Sequence, residues 1–161
     1  MNFRIGFGYD VHRLKEGREL WVGGVPIAHT KGSEGHSDAD ALIHAICDAL
    51  LGALALGDIG IHFPDTSSEY KNIDSKILLQ KTAALIREKG WEIGNLDCSV
   101  SLEKPKIMKH SPMMKAALAH AAGIEESQIS IKATTGERMG FVGREEGWCA
   151  YAVALVYKTE I

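Results

Sequence analysis

Apolar residues alternate with polar or small ones in some segments of the chain and recur every three to four positions in others, and these two periods assign most of its elements. Phe3, Ile5, Phe7 and Tyr9 alternate with Arg4, Gly6 and Gly8, which predicts a strand over 3–9 with one buried face and close backbone approach at the two glycines. Runs at 20–22 and 25–28 flank Gly23-Gly24, a two-residue hairpin signal, and the polar segment 29–36 reads as a loop. Residues 38–55 are rich in Ala and Leu and predict a helix, with Ser37 and Asp40 placed like a capping box and Gly57 as its stop. Residues 57–74 show neither period, and a loop of about 18 residues inside a compact domain is usually functional. Asp74 or Ser75 can cap a second helix through Lys89, closed by Gly90, with Ile77, Leu78, Thr82, Leu85 and Ile86 on its apolar face. Leu96, Cys98, Val100 and Leu102 alternate in a strand over 91–102. Ser111-Pro112 opens a third helix, 113–122, ended by Gly123. Strands over 129–133 and 149–157 enclose a glycine-rich turn, 136–147. Runs of strand and helix without a repeat predict one α+β domain over residues 1–161.

Composition narrows the picture. At 161 residues the chain can remove roughly 70% of its unfolded surface from water, so a metal, if bound, serves chemistry more than folding. Its 18 Lys and Arg against 21 Asp and Glu give a net charge of -3, which does not gather nucleic acid or an acidic membrane surface. The apolar stretch 41–56 is broken by His44 and Asp48 and falls short of the ~20 residues that span a bilayer, and the first ten residues lack the apolar run of a secretion signal. Cys47, Cys98 and Cys149 are odd in number and widely spaced, which suits reduced core thiols in a cytoplasmic protein.

Four constellations carry chemistry. Continued alternation puts Asp10 and His12 on one side of the first strand, and His44 interrupts an apolar helix where an unpaired imidazole is costly. One Asp and two His with a fourth position open is the pattern of a catalytic zinc centre. Read singly, His44 is as well explained as a hydrogen-bonded core histidine, and Asp10 as a turn cap. Asp40, His44 and Asp48 nevertheless share one stripe of the helix, which a solvated face does not explain. His36-Ser37-Asp38 and Gly57-Asp58-Ile59-Gly60 with Phe63-Pro64-Asp65 offer polar groups beside accessible backbone, suited to a phosphorylated, hydroxylated ligand or to ordinary capping. In Thr134-Thr135-Gly136-Glu137, followed by Phe141 and Arg144, two hydroxyls, a carboxylate and an arginine can hold phosphate oxygens and a hard divalent cation, or form a surface turn. GFGYDV lacks the third glycine of a dinucleotide fingerprint.

Taken together, RIGFGYDVHRL (4–14), the run GHSDAD through FPDT (35–66), Pro105-Lys106 and KATTGERMGFVGREEG (132–147) resemble the 2-C-methyl-D-erythritol 2,4-cyclodiphosphate synthase family nearly end to end. The resemblance implies a mixed four-stranded sheet with helices on one face, joined to the small N-terminal hairpin. It also implies a homotrimer with its sheets around the threefold axis and active sites between subunits. The implied activity is a lyase reaction of the non-mevalonate route to isoprenoids: 4-diphosphocytidyl-2-C-methyl-D-erythritol 2-phosphate is cyclised and CMP released. By the resemblance Asp10, His12 and His44 bind Zn²⁺, Asp10 and His12 also meet the substrate, and Glu137 serves a second ion, Mg²⁺ or Mn²⁺, at the diphosphate. His36 and Thr135 match transition-state stabilising positions. Ser37, Asp58, Ile59, Gly60, Phe63 and Asp65 match the methylerythritol phosphate site, and Leu102, Pro105, Lys106, Ile107, Met108, Thr134 and Thr135 the cytidine side. Phe141 and Arg144 match positions facing a central cavity that can hold an isoprenoid diphosphate. Gly136 and Glu103 depart from the family's more usual polar residue and Gln, and both touch the nucleotide side. A zinc hydrolase of a phosphorylated small molecule, or a trimeric protein that only binds one, fits the same residues.

Overall fold

The computed structural model describes residues 2–158 apart from 65 and 71, and of residue 69 the backbone alone. Four long strands, β1 (Phe3–Glu16), β5 (Trp91–Ser101), β6 (Ile129–Thr134) and β7 (Gly147–Lys158), and one short one, β4 (Lys31–Ser33), form a sheet of order β4-β1-β7-β5-β6. Only β5 and β6 pair in parallel. The sheet thus has five strands where four were expected. The first strand continues past Tyr9 to Glu16, and its far end, Leu14–Glu16, offers an edge that three residues of the polar 29–36 segment fill. Gly32 gives that short strand no apolar period, and a Cβ there would lie 2.1 Å from the Glu19 carbonyl oxygen, so contact with backbone takes the place of side-chain packing. Strands β2 (Leu20–Val22) and β3 (Val25–Ile27) form the expected hairpin, with Gly23 and Gly24 both at positive φ.

Helices α1 (Ala41–Ala53), α3 (Ser75–Glu88) and α4 (Ser111–Ala122) cover one face, α1 on β1 and β7, α3 on β5 and α4 on β6. The core between them gathers Leu42, Ile43, Ile46 and Leu50 of α1 with Val100, Trp148 and Val156 of the sheet. The opposite face leaves Phe3, Ile5, Phe7, Tyr9, Tyr151 and Val153 exposed. The buried face of β1 therefore belongs to the glycines. A Cβ on Gly6 would sit 1.8 Å from the Ala49 carbonyl oxygen and one on Gly8 1.9 Å from that of Ala45, so only bare backbone lets α1 lie this close.

The first helix begins later than the capping-box reading placed it. Ser37 accepts from the Ala39 N–H before the helix, whereas Asp40 is the cap and accepts from the Ile43 N–H at 3.2 Å. Asp40 is fully buried and also accepts from the N–H groups of Gly23 (3.0 Å) and Gly24 (2.6 Å), tying the hairpin to the helix start. In α3, Asp74 is the cap; Leu78, Leu79, Thr82, Ala83 and Ile86 are buried while Ile77 is exposed, so the apolar face lies one position round from the expected one. The 57–74 segment is less irregular than its sequence: it holds the short helix α2 (Ile59–His62), capped by Asp58, and a 3-10 turn at Ser68–Tyr70. Helix α5 (Gly140–Gly143) likewise lies inside the glycine-rich turn. The three cysteines are free and buried, and burial pushes the Cys47 and Cys98 thiols up to about 12. Among the described residues no helix is long and apolar enough to cross a membrane.

Candidate active site

Because β1 stays extended past Tyr9, alternation carries Asp10 and His12 onto the same face as Gly6 and Gly8, the face that meets α1. One turn into α1, His44 points back at them. Its Nδ1 lies 2.9 Å from Asp10 Oδ2, and His12 Nδ1 lies 3.0 Å from the same oxygen. One donor atom from each of the three side chains falls within 4.8 Å of the other two. Ligands of a tetrahedral zinc stand roughly 3.3 Å apart when the bonds are 2.0–2.2 Å. The donor set suits zinc by chemistry as well as by spacing. His12 Nδ1 is buried and, although near Asp10, has no hydrogen-bond partner in good geometry. A cation among the three would satisfy it. Gly35 makes room for the ring, since a Cβ there would lie 3.1 Å from His12 Nε2.

Charge is already arranged for a cation. Burial alone would raise the Asp10 carboxyl, but the imidazoles of His12 and His44 beside it outweigh that and hold the group at about 2. Burial opposes charge on His44, yet the hydrogen bond and charge of Asp10 prevail and its pKa is raised. Asp48, one turn beyond His44, is raised by burial although it accepts from the Ile59 N–H at 2.7 Å, a bond that fastens α2 to α1.

A cavity of about 350 Å³ opens from this cluster, lined by His12, His36, Ser37 and His44 on its polar side and by Ile59, Gly60, Phe63, Tyr70, Ile73 and Leu78 elsewhere. His36, Ser37, Ile59, Gly60 and Phe63 thus share one cavity with His12 and His44. Asp58 caps α2 and does not line the cavity, and Asp65 lies outside the described residues. Tyr70, Ile73 and Leu78 were not anticipated. Their only signal was the apolar residues scattered through and after the aperiodic loop.

A second cavity, about 360 Å³, is lined by Leu102, Pro105, Lys106, Ile107, Met108, Ala133, Thr134, Thr135 and Glu137, which gathers every residue assigned to the cytidine side. It shares no lining residue with the first, so Glu137 stands apart from the Asp10 cluster and Thr135 apart from His36. The two departures from the family pattern meet here. The Gly136 N–H donates to Glu103 Oε2 at 2.9 Å, and a Cβ on Gly136 would lie 2.7 Å from the Gly143 nitrogen. Phe141 and Arg144 line neither cavity, and Arg144 donates to the exposed Glu146 through two nitrogens.

The YgbB family model matches residues 3–157. A 2-C-methyl-D-erythritol 2,4-cyclodiphosphate synthase of Parabacteroides distasonis is 60% identical over 158 residues, 98% of each chain. The bifunctional IspDF from Campylobacter jejuni superposes with a TM-score of 0.94 at 39% identity, over 98% of this chain and 43% of that longer one. The IspF of Plasmodium falciparum, solved as a CDP complex, gives 0.87 at 35% identity, over 99% and 98% of the two chains.

Proposed function

The chain belongs to the YgbB family, and from that membership we propose how its residues carry out the family's lyase reaction in non-mevalonate isoprenoid, and hence terpenoid, biosynthesis. The reaction cyclises 4-diphosphocytidyl-2-C-methyl-D-erythritol 2-phosphate to 2-C-methyl-D-erythritol 2,4-cyclodiphosphate. An oxygen of the 2-phosphate forms a bond to the β-phosphorus while the bond from that phosphorus to the bridging oxygen breaks, and CMP departs with the electron pair. Nucleophile and target both belong to the substrate, so no protein nucleophile is needed. The obstacle is that one anion must approach another.

The observation that carries this reading is the convergence of Asp10, His12 and His44 beside a cavity that the two histidines line. These three would hold Zn²⁺, and Glu137 would hold Mg²⁺ or Mn²⁺. Bound there, the cations would withdraw charge from the diphosphate and favour in-line displacement. His36 and Ser37, at the rim, donate to phosphate oxygens. Ile59, Gly60 and Phe63 pack against the methylerythritol carbons and bend the substrate so that its two ends meet, which supplies proximity. Asp58, outside the cavity lining, caps the helix that carries Ile59 and Gly60. Leu102 and Pro105 to Met108 hold the cytidine, and Thr134 and Thr135 the adjoining phosphates.

Two half-sites with no residue in common, together with an apolar sheet face left open, support a homotrimer in which one subunit's metal cavity faces its neighbour's nucleotide cavity. Residues 1–161 form a single synthase domain that works in the cytoplasm, and Phe141 with Arg144 faces a central cavity able to take an isoprenoid diphosphate. Incubation with the diphosphocytidyl substrate tests the activity. Stoichiometric CMP and cyclic diphosphate support it, whereas a linear hydrolysed product or no turnover overturns it. Light scattering at three times 17.5 kDa tests the assembly.

A further inference from the structure

Behind His44, away from Asp10, lies a second layer of polar groups that touches neither cavity's substrate positions. Ser75, at the start of α3 and wholly buried, lies with its Oγ 3.1 Å from His44 Nε2. The same hydroxyl makes a short hydrogen bond to Asp38 Oδ1. Asp38 also accepts from the Ser75 N–H at 2.9 Å and from the Asp40 N–H at 3.2 Å. An ionised carboxylate can only accept, and a serine has a single hydroxyl proton to give. With that proton committed to Asp38, Ser75 Oγ can meet His44 Nε2 only as an acceptor. The ring must then carry a hydrogen on Nε2; without a cation Nδ1 also donates to Asp10 Oδ2 at 2.9 Å, and once a cation takes the place of that hydrogen the Nδ1 lone pair faces it.

We propose that Ser75, its hydroxyl held by Asp38, is a positioning residue that fixes His44 in the tautomer and orientation presenting Nδ1 to the cation. The inference rests on the zinc reading of the Asp10, His12 and His44 cluster. A metal-bound imidazole commonly gives its other N–H to an outer partner, and loss of that partner typically costs 10–100-fold in metal affinity. Here the partner is a hydroxyl whose direction is set by a carboxylate on a different segment, so the start of α3 orients a ligand carried by α1. Ser37, whose Oγ is 3.2 Å from the same Nε2, accepts from the Ala39 N–H and leaves its own proton uncommitted. It therefore cannot impose a tautomer. Asp38→Ala releases the arrangement, because it removes the acceptor of the serine proton and leaves that proton free to turn toward Nε2.

The test measures zinc affinity by competition with a chromophoric chelator for the wild type, Ser75→Ala and Asp38→Ala, with metal-free melting temperatures beside it. Long-range ¹H–¹⁵N correlation spectra of the zinc-loaded wild type report the His44 ring. The expected result is a protonated Nε2 and a ligating Nδ1 in the wild type, with zinc held roughly 10–100-fold more weakly by both variants. A ring protonated at Nδ1 overturns the inference, and so does unchanged affinity in both variants. Should either variant fail to fold, the wild-type spectrum still decides. A wild type that takes up no zinc overturns the metal reading itself, whereas a zinc-loaded wild type matched by both variants overturns only the role of Ser75.

Discussion

Gly8→Ala should separate the two halves of the metal cluster. Asp10 and His12 are carried by β1 and His44 by α1, and the distance between these elements is set where Gly8 lies under the first turns of the helix. A methyl at Gly8 would lie 1.9 Å from the Ala45 carbonyl oxygen and 2.8 Å from the Ala49 nitrogen, both backbone atoms. Reaching an ordinary contact near 3.4 Å calls for a displacement of about 1.5 Å, and no side chain can swing aside to supply it. Metal–ligand bonds tolerate about 0.2 Å. The strand and helix must therefore part by several times that tolerance, and His44 leaves the reach of an ion held by Asp10 and His12. Overpacking also costs stability, about 1–3 kcal/mol or more for an interior this tight. Zinc stoichiometry by elemental analysis and the melting temperature of the metal-free protein measure the two effects. Full zinc occupancy with an unchanged melting temperature would refute the reasoning, because it would mean that the glycine face does not set the spacing.

Three further outcomes follow from the same geometry. His44→Ala should abolish zinc binding and nearly all turnover while the protein stays folded, since α1 buries ten residues without the imidazole; circular dichroism and elemental analysis check this. Glu137→Gln should keep zinc and lose activation by Mg²⁺, read from rate against Mg²⁺ concentration. The Asp10 carboxyl is held at about 2, below its ordinary 3.8, so the folded metal-free protein binds fewer protons than the unfolded chain between these values. Its contribution, at most about 2 kcal/mol, is present above pH 3.8 and is lost as pH falls toward 2. Acid denaturation of metal-free Asp10→Asn should be flatter over that interval than the wild type, and identical slopes would contradict the assignment.

Much of this was legible because it depends on local rules. Alternation at 3–9 with two glycines gave the strand and its close approach, and Asp74, Lys89 and Gly90 bounded α3 to within a residue. Asp10 and His12 could be paired because alternation continues past Tyr9, and His44 joined them because it interrupts an apolar helix. What escaped depends on contacts remote in the chain. Strand β4 exists because the end of β1 offers it an edge, and nothing in Lys31-Gly32-Ser33 itself announces a strand. Asp40 took the capping role from Ser37 because it also binds the hairpin, 16 and 17 residues away. Ser75 was read as a helix cap, and its link to His44 spans 31 residues. Tyr70, the last residue of a 3-10 turn, and Ile73, beyond it, line the cavity without a periodic signature.

Three side chains from two elements are proposed to bind one cation whose fourth position is open. Anomalous scattering at the zinc edge, from crystals of the wild-type protein, locates that cation. One peak per chain is expected within roughly 2.0–2.2 Å of Asp10 Oδ2, His12 Nδ1 and His44 Nδ1. A peak elsewhere, or none at this cluster in zinc-supplied protein, contradicts the proposal.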